Sequence, residues 1–172
     1  MAHLNIEVKA KCDQPSFIRE YLKANNAEFK GTDHQVDTYF TVAKGRLKLR
    51  EGNIENNLIY YERTDQPGAK DSLFQLINVS DTKGLKEVLA KSLGVKVVVE
   101  KKREIWFIKN VKFHIDQVEG LGSFAEIEAS NFYSNIPKEE LQKQCNFYMK
   151  EFGINDKDLI AISYSDMLLI ER

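Results

Sequence analysis

Several short stretches of this chain place like charges at every second residue. Arg46, Lys48 and Arg50 alternate with Leu47 and Leu49, and Lys101 and Arg103 alternate with Glu100, Lys102 and Glu104. Glu126 and Glu128 alternate with Ala125 and Ile127, and near the start Glu7, Lys9 and Lys11 alternate with Ile6, Val8, Ala10 and Cys12. In a strand, such alternating residues share one face. Like charges two apart repel unless water or a counter-ion screens them. The cations at 46–50 therefore invite an anion. The carboxylates at 126 and 128, with Asp116 across a hairpin, invite a cation. Arginine and lysine gripping phosphate oxygens, beside a divalent ion held by Asp and Glu, is the chemistry such a pairing supports. Alternation alone equally describes an antiparallel sheet with one wet face and one buried face, so both readings stand at this point.

The elements that must carry these residues follow from turn and cap signals. Strands are expected at 4–12, 27–33, 35–42, 46–50, 57–64, 71–79, 95–108, 111–118 and 123–130. Lys44-Gly45, Asp65-Gln66-Pro67-Gly68, Lys109-Asn110 and Gly120-Leu121-Gly122 mark turns, and Gly52-Asn53 with Asn56-Asn57 marks a loop. A helix opens after Asp13, its expected cap, with Pro15 in the first turn, and carries Phe17, Ile18, Tyr21 and Leu22 on one stripe. Asp81-Thr82 caps a second helix that Gly94 ends. A third fills 137–152, with Leu141, Cys145, Tyr148, Met149 and Phe152 as a core-facing stripe, and a short one closes the chain at 163–170. Most strands meet through short turns, so the class is α+β with a largely antiparallel sheet. Eight or nine strands can close into a barrel and so remove exposed edges. One face of each strand would then line the interior. A lining of unpaired Arg, Lys, Asp and Glu would be too costly as a dry core and must hold water or a polyanion.

Bulk properties bound the function. At 172 residues the chain reads as a single domain, 1–172. The formal net charge is -1, which argues against a global basic field for nucleic acid, as do the single Trp and the acids among the basic residues. No apolar run approaches the roughly 20 residues needed to span a bilayer, and the polar N-terminus does not read as a signal peptide. Cys12 and Cys145 form no C-x-x-C pair and read as small reduced residues, so a cytoplasmic protein is expected. His114 shares a face with Asp116; a structural, hydrogen-bonded role is expected for it ahead of base or metal ligand. A homodimer through sheet or helix surfaces is left open.

These stretches, in this order, resemble the CYTH family, the triphosphate-tunnel fold of class IV adenylyl cyclases and thiamine triphosphatases. The family's opening Glu-x-Glu-x-Lys strand aligns with Asn5, Glu7 and Lys9, and its Leu-Arg-Leu-Arg-type strand with Arg46-Leu47-Lys48-Leu49-Arg50. Within the class IV cyclase-like branch, the similar segments are Gln35 to Phe40, Tyr61-Glu62-Arg63 with Lys70 and Ser72, and Glu100 to Arg103. Gly120 to Glu128 and Ser163 to Leu168 continue the match. The resemblance implies a closed eight-stranded antiparallel barrel with flanking helices. It implies that Lys9, Lys11, Arg46, Lys48, Arg50, Arg63, Lys101 and Arg103 bind phosphates, with Lys9, Arg63 and Lys101 catalytic. Glu7, Asp116, Glu126 and Glu128 would hold Mg²⁺ or Mn²⁺, and Gln35, Asp37 and Tyr164 would stand near the mouth or in supporting hydrogen bonds. The implied reaction is ATP to cyclic AMP and pyrophosphate. Hydrolysis of tripolyphosphate, thiamine triphosphate or a nucleoside triphosphate is the alternative, and a non-catalytic triphosphate- or polyphosphate-binding protein is an alternative of another class. Asn5 departs from the motif by removing one carboxylate from the metal side. An amide oxygen can still ligate a hard cation, though more weakly. The reading preferred is a subfamily variant in which Glu7, Asp116, Glu126 and Glu128 suffice, ahead of a shifted metal position or altered catalysis.

Overall fold

The computed structural model describes residues 3–132 and 134–171. Eight strands form one closed antiparallel barrel: β1 (His3–Lys11), β2 (Glu28–Phe40), β3 (Arg46–Glu51), β4 (Asn57–Arg63), β5 (Lys70–Asn78), β6 (Val95–Ile108), β7 (Val111–Val118) and β8 (Gly122–Ser130). Their order around the barrel is β1-β5-β4-β3-β2-β6-β7-β8, with β8 returning to β1. Among the described residues four α-helices flank it: α1 (Pro15–Ala24), α2 (Thr82–Leu93), α3 (Lys138–Glu151) and α4 (Tyr164–Ile170).

The two strands expected at 27–33 and 35–42 are one strand, β2. Its pairing with β6 is interrupted between Phe29 and Gly31 rather than broken by a turn. Gly31 absorbs the irregularity with φ 124°, a conformation other residues rarely adopt. α1 also begins differently from the expectation. Gln14 is the N-cap and no side chain caps the helix, so Asp13 lies outside it. Pro15 at the first position needs no N–H partner there. Asp81 does cap α2, accepting from the Gly84 N–H at 2.9 Å, and Ser163 caps α4 through the Asp166 N–H.

The apolar faces divide between two sites. Outside the barrel, Ile6 and Val8 of β1, Phe113 and Ile115 of β7 and Ile127 of β8 pack under Ile18 and Leu22 of α1 and Leu141, Cys145 and Phe152 of α3. On α1 the buried stripe is narrower than expected: Ile18 and Leu22 are buried, while Phe17, one residue round the helix, is exposed. Inside the barrel, a second cluster at one end unites Tyr39, Tyr61, Val97, Val99, Val118 and Phe124 with Tyr164 of α4. Both cysteines are buried and free. The Cys145 thiol, pushed up to about 12 by burial, donates to the Ile6 carbonyl at 3.1 Å. No helix among the described residues is long and apolar enough to cross a membrane.

Leu141 is fully buried on α3, whereas Phe147 on the same helix is 53 % exposed. Leu141→Ala should cost about 2–5 kcal/mol by removing core contacts. Phe147→Ala should stay within about 0.5 kcal/mol. Urea unfolding of the two variants checks the pair.

Candidate functional site

The barrel interior is a cavity of about 700 Å³ lined by charged and aromatic side chains. Strand alternation puts them there. Glu7 and Lys9 of β1, Lys48 and Arg50 of β3, Lys101 and Arg103 of β6, His114 of β7, and Glu126 and Glu128 of β8 all line it. Registers stack these residues in layers, with His114, Glu126 and Lys9 opposite one another across β7, β8 and β1, and Lys112, Glu128 and Glu7 in the next layer. Phe124 and Tyr164, ring centroids 5.1 Å apart, plug one end. The buried Lys70 ammonium donates to the Gln66, Ile160 and Ala161 carbonyls and so ties down the segment leading into α4. The other end is rimmed by Phe74, Phe107 and Phe132 and by the loop between β3 and β4.

Within the lumen, charge is largely paired. Arg103 holds Asp116 through two hydrogen bonds of 2.7 Å and reaches Glu126 Oε1 at 3.1 Å. The Tyr164 hydroxyl donates to Asp116 at 2.8 Å. Arg50 forks onto Asp37 at 2.9 and 2.8 Å, and Lys101 donates to the same carboxylate at 2.7 Å. Burial pushes Asp37 up, but Arg50, Lys101 and Lys48 outweigh it and hold the carboxyl well below its usual range. Arg63 donates to Glu7 at 2.8 Å. Lys9 differs: its ammonium lies 3.8 Å from the centre of the Tyr164 ring, and no carboxylate pairs with it within 4.0 Å among the described residues. Burial lowers Lys9 to about 8, with Glu126 partly offsetting this, and burial lowers Lys101 to about 7 despite Asp37.

The acidic side behaves oppositely. Burial, with Glu7 and Glu126 nearby, raises Glu128 to about 7. Glu126 is also pushed up by burial, but Arg103 and Lys9 hold it well below the carboxylate range. His114, lowered to about 4 by burial and by Arg103, is a neutral imidazole at physiological pH. Of the structural or hydrogen-bonded role expected for His114, the burial is present, but neither ring nitrogen has a partner within hydrogen-bond distance; Nδ1 stands 3.6 Å from Glu126 Oε2.

The expected site residues fall into three groups. Glu7, Lys9, Lys48, Arg50, Arg63, Lys101, Arg103, Glu126 and Glu128 line one cavity. Lys11 and Arg46 share strand parity with that face but stand beyond the Tyr164 plug. Lys11, the last residue of β1, is exposed, and Arg46 pairs with Asp166 at 2.6 Å beside a separate small cavity. Asp116 is buried, and both its oxygens accept hydrogen bonds, from Arg103 and from the Tyr164 hydroxyl. Asn5 does line the cavity, with its Oδ1 buried and without a partner. Gln35 supports the rim, donating to Asp33 and Glu55 at 2.9 Å. Asp37 is deep in the barrel and takes the supporting role, accepting hydrogen bonds from Arg50 and Lys101.

Glu55, Asp33 and Lys112 escaped sequence reasoning. Asp33, fully buried, accepts the backbone N–H groups of Asn53, Ile54 and Glu55 at 2.7–2.9 Å and binds the loop to β2. The loop delivers the Glu55 carboxylate to Lys112 at 2.6 Å and Arg50 at 3.3 Å. Burial pushes Glu55 up, but Lys112 and Arg50 hold it well below its ordinary value. A lone Glu in a polar loop gives no periodicity to detect. Lys112, two residues before His114 on the inward face, was detectable by alternation.

The cavity leaves buried donors and acceptors of both kinds unused. Arg63 Nε and Nη2 have no partner and suit an anion; Asn5 Oδ1 and the His114 nitrogens suit a cation or a donor. His114, Glu126 and Glu128 each offer one ligand atom, all within 4.8 Å of one another, so the residues present fit a divalent metal ion. A closed antiparallel barrel with a polar interior, basic on one side and acidic on the other, is the class of protein this geometry defines.

The CYTH domain family matches residues 3–164, and the chain belongs to it. A Methanocaldococcus jannaschii protein, provisionally named adenylate cyclase MJ0240, is 26 % identical over 176 residues, covering 95 % of this chain and 98 % of that protein. Among solved structures, the PH1012 protein of Pyrococcus horikoshii OT3 superimposes with a TM-score of 0.80 at 26 % identity, covering 94 % of this chain and 98 % of that one. HpAC1 of Hippeastrum, described as an adenylyl cyclase by provisional name with a dominant triphosphatase activity, shares the fold. Its TM-score is 0.58 at 15 % identity, over 98 % and 95 % of the two chains.

Asp37→Asn would leave Arg50 and Lys101 facing each other without their shared carboxylate. Breaking such a buried pair by removing one partner costs about 3–5 kcal/mol. Because the folded carboxyl is depressed, its contribution is present above the unfolded pKa and is lost as pH falls through the folded one. The variant should therefore be strongly destabilised at pH 7 and lose less further stability on acidification than the parent. Urea unfolding at pH 7 and pH 3 checks both.

Proposed function

We propose that this chain is a metal-dependent enzyme acting on an organic triphosphate, with an adenylyl cyclase-like reaction: ATP to cyclic AMP and pyrophosphate. The observation that carries the reading is the pair of incompletely satisfied deep cations, Lys9 and Arg63, beside the Glu126–Glu128 carboxylates in one cavity. Lys9, Lys48, Arg50, Arg63, Lys101 and Arg103 are the groups proposed to take phosphate oxygens, and Lys112, in the layer nearer the rim, extends that set.

The plugged end gives the substrate a direction. A triphosphate enters terminal phosphate first, so the β- and γ-phosphates lie deepest and the α-phosphorus nearest the rim. Phe74, Phe107 and Phe132 at that rim offer aromatic faces to an organic group. This favours a nucleotide or another aromatic triphosphate over bare tripolyphosphate. In the cyclase reaction the ribose 3′-hydroxyl gives up its proton to solvent water and its oxygen bonds to the α-phosphorus. The α–β bridging bond breaks and pyrophosphate leaves with the electron pair. Charge then accumulates where the deep Lys and Arg side chains stand, and preorganised cations at such a place are the main source of rate. A divalent ion held by Glu126, Glu128 and a neighbouring donor would supply further neutralisation of phosphate oxygens. The name carried by MJ0240 agrees with this reading.

Hydrolysis is the second reading. The same cations would serve a water attacking the γ-phosphorus, and HpAC1, of the same fold, carries a dominant triphosphatase activity. Incubation with ATP, tripolyphosphate and thiamine triphosphate, each with Mg²⁺ and with Mn²⁺, followed by phosphorus NMR, separates them. Cyclic AMP with pyrophosphate is the expected product. Orthophosphate would move the protein to the hydrolases, and saturable binding without turnover would make it a binder.

Two further outcomes follow. Lys9→Ala breaks no ion pair within 4.0 Å among the described residues and leaves Arg103 on Glu126, so it should leave the protein folded while lowering turnover about a hundredfold, the cost typical of removing one charge-stabilising donor. In EDTA, affinity for tripolyphosphate should weaken as pH rises through 7 to 8, since Lys101 and Lys9 lose their protons there. Lys9→Arg, which stays charged, should flatten the upper part of that profile. Calorimetric titration across pH reads both.

A further inference from the structure

We propose that His114 is itself a metal ligand, forming with Glu126 and Glu128 a one-nitrogen, two-oxygen centre that prefers a first-row transition-metal dication to Mg²⁺. This inference rests on the reading of the lumen as a metal-assisted triphosphate site, and it assigns the ion's ligands and class.

Four features of the structure converge on it. His114 is 2 % exposed, and both its ring nitrogens lack a hydrogen-bond partner. A buried polar atom left in that state costs about 1–3 kcal/mol. Its Nδ1 stands 3.6 Å from Glu126 Oε2 and 3.8 Å from Glu128 Oε1. Both distances exceed a hydrogen bond and are a few tenths of an ångström wider than the roughly 3.0–3.4 Å between adjacent ligands on bonds of about 2.1 Å, so a bound ion would draw the three groups slightly inward. The remaining Glu126 oxygen, Oε1, is already taken by Arg103 at 3.1 Å, which fixes the carboxylate and leaves Oε2 for the ion. Of the other carboxylates in the lumen, Asp116 is engaged by Arg103 and Tyr164, Asp37 by Arg50 and Lys101, and Glu55 by Lys112 and Arg50, while Glu7 gives Oε1 to Arg63 and stands one layer away from His114, across from Glu128. Asn5 supplies an amide where the family motif carries a carboxylate.

The resulting donor set is poorer in oxygen anions than Mg²⁺ favours. Mg²⁺ takes oxygen ligands and water, whereas imidazole suits transition metals, whose affinities rise from Mn²⁺ to Co²⁺ and beyond. Cross-strand pairing of His114 with Glu126 makes the arrangement a property of the β7–β8 register rather than of a mobile loop.

The test uses the full chain after EDTA dialysis, without any nucleotide. Calorimetric titration with Mg²⁺, Mn²⁺ and Co²⁺ should give affinity in the order Co²⁺, Mn²⁺, Mg²⁺. Electron spin-echo modulation of the Mn²⁺-loaded parent should show coupling to one imidazole nitrogen, a readout needing no variant. His114→Ala should remove that coupling and weaken Co²⁺ binding at least about tenfold, and Glu126→Gln should weaken binding of both Mn²⁺ and Co²⁺. Bound Mn²⁺ without nitrogen coupling, no metal binding at all, or unchanged Co²⁺ affinity in a folded His114→Ala protein would each overturn the inference. The product assay with Mg²⁺ judges the triphosphate reading separately: turnover without nitrogen coupling sinks only the ligand assignment. Nitrogen coupling without turnover or triphosphate binding sinks only the reaction.

Discussion

Arg103 is the post around which the site is built. Its guanidinium joins Asp116 on β7 and Glu126 on β8 from its own place on β6, and Asp116 in turn accepts the Tyr164 hydroxyl from α4. Four elements meet in this one network. Each partner is buried, so the charges must balance one another locally. The consequence runs outward. Tyr164 is fixed as a plug, the cavity acquires a floor, and the Glu126 carboxylate is turned so that one oxygen is spent and the other is free.

A division of labour among the charges follows. Asp37 and Asp116 act as internal counter-ions, each satisfying cations that would otherwise make the barrel unstable when empty. Lys9 and parts of Arg63 are left over. A lumen of this kind spends stability to keep a few charges incompletely paired, and the lowered Lys9 and Lys101 and raised Glu128 record that strain. The apolar side of each strand compensates: Ile6, Val8, Phe113 and Ile127 are buried under α1 and α3, so the helices stabilise the wall from outside while the lumen stays polar.

Much of this was legible from strand parity. Alternation at 5–12, 46–50, 101–103 and 126–128 grouped the residues that share a face, because a strand's period of two leaves no freedom once one side is buried, but that this face is the lumen rests on barrel closure and not on alternation. Parity does not say how far along a strand the lumen extends, which is why Lys11 and Arg46 share the right face and lie beyond the plug. Nor does it reveal which acid is spoken for: Asp116 and Glu126 look alike in sequence, and only the reach of Arg103 and Tyr164 separates them. The loop bearing Glu55 was least legible. Its place depends on a single buried carboxylate, Asp33, gathering three backbone N–H groups across twenty residues. The break expected in β2 near residue 34 is absent because Asp33, His34 and Gln35 pair with β6 without a gap; the irregularity falls earlier, at Gly31.

The floor formed by Phe124 and Tyr164 makes the barrel a cul-de-sac, and a cul-de-sac imposes an order of exit. Whatever part of a molecule enters first leaves last. Under the proposed reaction, pyrophosphate is formed behind the cyclic nucleotide, surrounded by the cations that drew the triphosphate in. The nucleotide must depart before it, and the emptied cavity stays blocked until the inorganic product escapes past the rim. Turnover would then be governed by the grip that made capture efficient.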